Sequence, residues 1–160
     1  MGRVLAFKVF QLPIFKVLDM HKFSDRDFPE HERGGVTFAE VCRASEITRR
    51  KGRKIEFDDD THVAIFRIHN AGMERLCAVS NICPHQHASV LNEGEITFLD
   101  HDENPAHPTI TCPLHGYVYS LESGQCLSGG RSHLRSYAVF EENGMVFVEK
   151  PAPPESLWKW

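Results

Sequence analysis

No apolar stretch of this chain approaches the roughly 20 residues that a helix needs to cross a bilayer. The nearest candidate, residues 4–18, is interrupted by Lys8, Pro13 and Lys16. Those breaks also deny it the unbroken apolar segment of a secretory leader, and Pro13 spoils a single amphipathic helix. Basic residues are in deficit: 18 Lys and Arg against 22 Asp and Glu, a formal net charge of −4. Phosphate binding calls for the opposite balance, so nucleic acid is not expected as a partner. The one basic run, Arg49-Arg50-Lys51-Gly52-Arg53-Lys54, is soon answered by Asp58-Asp59-Asp60, and both read as solvated turns. Cysteine is scarce and odd in number, with five at Cys42, Cys77, Cys83, Cys112 and Cys126. A disulfide scaffold would show an even and denser set, so a reducing, cytoplasmic setting is expected. No Gly-x-Gly-x-x-Gly fingerprint is present, which argues against a nicotinamide or flavin site of its own. Internal repeats, low-complexity tracts and sustained helical periodicity are also missing.

What remains is an ordinary globular composition, 41% apolar and 25% charged over 160 residues, enough for one domain with extra length at its ends. From residue 36 onward short β-prone runs alternate with turns. Residues 54–57 and 62–68 flank the three aspartates as a hairpin, and 75–80 run straight into Cys83. Residues 96–99 and 109–111 bracket a polar loop. Residues 117–121 and 125–127 flank Glu122-Ser123-Gly124. Residues 134–140 and 145–149 flank Asn143-Gly144, the strongest short hairpin signal available. Helix is expected only near 38–42. The organisation is therefore an all-β domain of antiparallel strands over 36–150, preceded by an extension, 1–35. The extension reads as an extended arm packed on the domain or on a second subunit, with a peripheral membrane foot as the alternative. A tail, 151–160, opens on Pro151-Ala152-Pro153-Pro154, which cannot continue a sheet. It carries Trp158 and Trp160, rings that could dock on the domain or bring a second copy into contact.

Two segments carry the chemistry: Cys83-Pro84-His85 and Cys112-Pro113-Leu114-His115. Each supplies one thiolate and one imidazole. Two Cys and two His can hold zinc or a mixed-ligand iron–sulfur cluster, so ligand identity leaves both open. The grouping is the better guide. A zinc finger pairs cysteine with cysteine and histidine with histidine, usually with the histidines on a helix. Here each short loop carries one of each and lies between strands. Two such loops can close over a two-iron cluster, cysteines on one iron and histidines on the other.

At Cys83-Pro84-His85-Gln86 and Cys112-Pro113-Leu114-His115-Gly116 the chain resembles the cluster loops of Rieske [2Fe–2S] proteins, in particular the Rieske ferredoxins. The likeness extends from Phe38-Ala39-Glu40-Val41-Cys42 to Val146-Phe147-Val148. It takes in Ala78-Val79-Ser80-Asn81 and Tyr117-Val118-Tyr119. It implies a Rieske-like fold, an antiparallel β-sandwich base with a small cluster-binding subdomain. It also implies one [2Fe–2S] cluster held by Cys83, His85, Cys112 and His115. The high-potential respiratory members carry an extra cysteine in each loop, joined as a disulfide; Ala88 and Leu114 stand at those positions, so that clamp is absent. Tyr117 replaces a serine that those proteins aim at a cluster sulfide, while Tyr119 matches a tyrosine that donates to a ligand sulfur. His87 stands where the family usually has glycine, which puts the backbone of the first loop in question and makes its imidazole a neighbour of the site. Residues 92–108 lengthen the connection between the loops and read as a surface excursion with His101 and His107. Ser128-Gly129-Gly130-Arg131 takes the place of a covering loop. Cys42 and Cys77, in apolar runs, read as buried small hydrophobes, and Cys126 as a free thiol.

The resemblance implies an electron carrier rather than an enzyme in its own right: a ferredoxin passing single electrons from a reductase to a terminal oxygenase or other oxidoreductase. Two alternatives belong to other classes. One is a Rieske-like small subunit of a larger oxidoreductase such as nitrite reductase, and the other a zinc-stabilised binding module.

Overall fold

In the computed structural model, residues 27–70, 72–101 and 104–152 are described. The expectations for residues 1–26 and for Trp158 and Trp160 lie outside them. Strands β1 (Glu30–Arg33), β2 (Val36–Arg43), β3 (Arg53–Glu56), β4 (His62–Asn70) and β5 (Met73–Ser80) open the fold. The short β6 (Ile82–Cys83) and β7 (Ala88–Ser89) follow, then β8 (Glu95–His101), β9 (Asn104–Thr111) and β10 (Val118–Ser120). The chain closes with β11 (Ser136–Tyr137), β12 (Val139–Glu142) and β13 (Met145–Glu149). One-turn 3-10 helices at Ala44–Glu46 and Leu91–Glu93 are the helical elements among the described residues. Four antiparallel sheets result, in the orders β1-β2-β13-β12, β11-β5-β4-β3, β10-β9-β8 and β6-β7. Among the described residues no helix is long and apolar enough to cross a membrane.

The central pair β4–β5 explains how base and subdomain are joined. Side chains alternate across a strand, and β4 uses both faces. Val63 and Ile65 turn to a core with Cys42, Ile47, Ile55, Ala78, Tyr137, Val146 and Val148. Ala64, Phe66 and Ile68 turn the other way, to a second core with Cys77, Val79, Leu91, Ile110, Tyr119, Leu121 and Leu134. A strand covered on both sides has no polar face, hence the unbroken Val63-Ala64-Ile65-Phe66, all at 0% exposure. Each large side chain so buried contributes about 1.5–3 kcal/mol. The second core is the one that holds Cys83 and Cys112.

Two expectations are corrected. Residues 38–42, expected as helix, lie within β2, which pairs with β1 on one side and β13 on the other. The register slips between Val146 and Phe147, so that Cys42 faces Val146 while Glu40 faces Phe147 and Val41 is left over. This bulge puts Ala39 and Cys42 on the buried face three residues apart, which imitates the spacing of a helix. The polar loop expected between residues 99 and 109 is mostly strand: β8 runs on to His101 and β9 begins at Asn104, with Phe98 paired to Pro108 and His101 to Asn104. Pro105 and Pro108 disguised it. They are tolerated because the β10 ladder pairs only with Thr109–Thr111; past it the Leu121 N–H donates to the Pro108 carbonyl at 3.0 Å, a bond that uses the acceptor proline keeps rather than the N–H it lacks. The Asn143-Gly144 turn, with φ of 53° and 76°, joins β12 to β13 as a primed hairpin.

Candidate metal centre

The two candidate loops are built on one plan. In the first, Cys83 pairs with Ala88 across the β6–β7 ladder, and the His87 N–H donates to the Cys83 carbonyl at 2.8 Å. In the second, Thr111 pairs with Val118, and the Gly116 N–H donates to the Cys112 carbonyl at 3.0 Å. In each, the residue four beyond the cysteine closes the turn in the left-handed region, φ 51° at His87 and 72° at Gly116. The first loop therefore keeps the same turn although histidine replaces the glycine suited to it.

A buried polar hub sets the first loop on the core. Asn81, 0% exposed, donates from Nδ2 to Ser89 Oγ at 2.8 Å and to Asn92 Oδ1 at 3.0 Å, and accepts from the Asn92 N–H at 2.6 Å. Its carbonyl takes the N–H groups of Val90 and Leu91. His62 Nδ1 lies 2.7 Å from Ser89 Oγ on the other side. The second loop is tied to β10 by the Cys112 N–H, which donates to Tyr117 at 2.8 Å. A third loop, residues 128–132, packs on β10. Ser128 Oγ accepts from the Val118 N–H at 2.8 Å, and Ser132 Oγ lies 3.3 Å from Tyr119 Oη.

These elements bring the two sulfurs together. Cys83 and Cys112 are 0% and 1% exposed, and their Sγ atoms stand 3.5 Å apart. That is too far for a disulfide bond of about 2.05 Å. It is close to the roughly 3.8 Å that a tetrahedral metal with bonds of about 2.3 Å imposes on two thiolates. Burial, and Cys83 beside it, push the Cys112 thiol up, while the N–H groups of Leu114 and His115 favour its thiolate. His85 Nδ1 lies 3.9 Å from Cys83 Sγ and 3.0 Å from Tyr119 Oη. Its ring is covered by Tyr117, centroid to centroid 3.7 Å at 16°. His115 is exposed at the tip of the second loop. Among the described residues, no three His, Cys, Asp or Glu side chains converge as a single-ion cage requires. A two-iron cluster asks instead for two protein ligands per iron; the buried sulfur pair suits one iron and His85 lies beside it, while no contact among the described residues brings the exposed His115 to them.

Of the neighbouring tyrosines, Tyr119 is buried with its hydroxyl toward His85 and Ser132. Burial, then Cys83, Cys126 and Cys112, hold its phenol above the usual tyrosine value. The His87 side chain is exposed and lines a groove with Asp60, His62, Pro84 and His133. Burial pushes Cys42 and Cys77 up to about 11, as fits small core hydrophobes. Cys126 is free but buried, packed in the same core as the sulfur pair. Nothing local in the sequence marks Ser132 as part of the site. Asn81 stands out there only through the family likeness, although an amide beside an apolar strand end is a hint of a buried hub.

Residues 37–149 match the family model described as Rieske-like [2Fe-2S] domain. The chain is 27% identical over 128 residues to the ferredoxin component of the alkene monooxygenase system of Xanthobacter autotrophicus, covering 79% of this chain and 93% of that protein. The solved NAD(P)H nitrite reductase small subunit from Erwinia carotovora is similar at 26% identity and a TM-score of 0.55, over 72% of this chain and 83% of the other. The ferredoxin of carbazole 1,9a-dioxygenase from Nocardioides aromaticivorans, 20% identical, shares the fold with a TM-score of 0.54 over 71% and 98% of the two chains.

Proposed function

The chain belongs to the Rieske-like [2Fe-2S] domain family, and we propose that it is a ferredoxin, taking single electrons from a reductase and handing them to a terminal oxygenase or another oxidoreductase. In this reading Cys83 and Cys112 hold the inner iron, and His85 and His115 the outer one. The observation that supports it most is the sulfur pair, 3.5 Å apart and sealed in the second core. When bound, the cluster supplies a one-electron couple, with no substrate bond made or broken. The chain's own residues do the rest. The apolar wall of Phe66, Leu91, Ile110 and Leu134 keeps water from the sulfurs. N–H groups of Leu114 and His115 favour the thiolate of Cys112. The exposed His115, with Leu114 at 47% exposure beside it, offers a partner a short path to the site.

The relative from the alkene monooxygenase system, spanned over 93% of its length, favours the carrier. The nitrite reductase small subunit favours the second reading, a Rieske-like subunit of a larger oxidoreductase. Purification as an independent protein that cycles reversibly separates the first from the second, which predicts recovery only in a complex. Electron paramagnetic resonance of the dithionite-reduced protein tests both against a zinc module. Mixed His and Cys ligation is expected to lower the mean g-value below that of an all-cysteine cluster, with the signal and bound iron lost in Cys83→Ala and Cys112→Ala. A silent, colourless protein holding one zinc per chain would end the proposal.

A further inference from the structure

The two imidazoles assigned to the outer iron are not held alike. His85 is half-buried, and the ring of Tyr117 lies flat upon it at 3.7 Å and 16°. Its Nδ1 lies 3.0 Å from Tyr119 Oη, a contact that metal ligation through Nδ1 would replace, so the ring stack is the restraint that persists. At that separation the imidazole cannot turn about its ring torsion without driving into the tyrosine. His115 is exposed, with no hydrogen bond or ring contact to its side chain among the described residues.

The stack also crosses between loops. His85 belongs to the first, whereas Tyr117 is rooted in the second, where its carbonyl accepts from the Cys112 N–H at 2.8 Å. Tyr117 is in turn backed by the third loop. The Val118 N–H beside it bonds Ser128, and a Cβ placed on Gly130 would come 3.8 Å from Tyr117 Cε1. A ring fixed to one loop and pressed against a side chain of the other sets the distance between them.

We propose that Tyr117 is a positioning residue of the centre. It braces the first loop against the second, fixes the plane in which His85 turns Nδ1 inward, and withdraws His85 from the surface, leaving His115 as the imidazole that meets a redox partner. This rests on the ligand assignment above. Flat contact is the essential property, since the Tyr117 hydroxyl has no hydrogen bond among the described contacts, so phenylalanine should replace it and a branched aliphatic should not.

The test uses the isolated, cluster-bearing protein and its Tyr117→Phe and Tyr117→Leu variants, reduced with dithionite and matched for iron. Pulsed electron paramagnetic resonance reads the two ligand-nitrogen couplings. Tyr117→Phe is expected to overlay the parent. Tyr117→Leu is expected to shift or broaden one coupling and leave the other in place. Identical couplings in Tyr117→Leu, or an equal shift in Tyr117→Phe, overturn the proposal. A second measurement needs no variant: brief carbethoxylation of the parent, mapped by mass spectrometry, should label His115 several-fold faster than His85. Equal labelling overturns the shielding even if Tyr117→Leu fails to load iron. A parent protein with no reduced-state signal would overturn the ligand assignment and this inference together. A normal parent signal unmoved by Tyr117→Leu removes this inference alone.

Discussion

Replacing His87 by glycine should make the protein more stable, by about 0.5–1 kcal/mol. The two loops have matched turns, each closed by a left-handed residue, Gly116 in one and His87 in the other. An L-residue in that conformation gives up about 1–2 kcal/mol relative to the right-handed form. Glycine escapes that cost but has more freedom to lose on folding, which returns roughly 0.5–1 kcal/mol. The exposed His87 side chain makes no hydrogen bond among the described contacts that would offset the difference. The mirror experiment is Gly116→Ala. A Cβ there meets nothing within 4 Å, so its cost is conformational alone and should be about 1 kcal/mol of destabilisation. For a chain of this length such changes move a melting midpoint by about 1–4 °C. Anaerobic thermal and guanidinium unfolding of the cluster-bearing proteins, followed by circular dichroism at one scan rate, reads both. A fall in midpoint for His87→Gly beside the expected fall for Gly116→Ala would refute the reasoning, because the imidazole would then supply a native contact worth more than its backbone strain.

Other consequences follow from the same geometry. Asn81→Ala removes the side chain that satisfies Ser89 and both ends of Asn92. Stranding those groups should cost about 2–4 kcal/mol and lower iron retention, as read by unfolding midpoint and iron assay; a loss under about 0.5 kcal/mol would deny the hub its role. Glu122 is held below the usual carboxylate range by His107 first, at 2.6 Å, and by Arg75, with burial opposing. A lowered carboxylate contributes stability above its unfolded pKa and loses it as pH falls through the folded value. Glu122→Gln should therefore be less stable than the parent near neutrality, with the gap closing in acid; a gap that does not depend on pH would refute the link. The midpoint potential should lie in the lower half of the roughly −150 to +300 mV Rieske range, since Tyr117 takes the place of a hydroxyl aimed at sulfide and leaves the Tyr119 hydroxyl alone to serve a sulfur. A spectroelectrochemical value above about +200 mV would contradict this.

Much of this molecule is legible in its amino-acid order, because its most specific features are local. Ligand type and spacing at Cys83, His85, Cys112 and His115 need only neighbours in sequence to be noticed, and the Asn143-Gly144 turn announces its hairpin through φ preferences alone. The features that stay hidden are non-local. The bulge in β2 is created by its pairing with β13, and it makes a strand spell out a helical interval at Ala39 and Cys42. The β8–β9 hairpin hides behind two prolines whose tolerance depends on how far β10 happens to run. Asn81 is hinted at by its place after an apolar strand, but its partners Ser89 and Asn92 are set only by the fold. The Tyr117 stack depends on two loops far apart in the chain meeting face to face.

The same division explains how the sulfur pair can be buried while the tip of the second loop stays exposed. Burying β4 on both faces makes one sheet the wall of two cores, so the floor beneath the sulfurs cannot shift without disturbing the base sandwich as well. Close-packed interiors resist such movement, and Arg67 reinforces it from β4, reaching Glu74 at 2.7 Å, Glu141 at 3.0 Å and the Ala44 carbonyl at 2.9 Å. Above that floor the support becomes progressively lighter: Asn81 and Ser89 under the first loop, a tyrosine stack across the gap, and finally exposed His115 and Leu114 at the tip. Restraint is thus greatest at the sulfur pair, 3.5 Å apart, and least at the exposed tip where the proposed reading places a partner. A one-electron carrier is served by that gradient: packing that resists change between oxidation states on the inside, and exposed side chains on the outside.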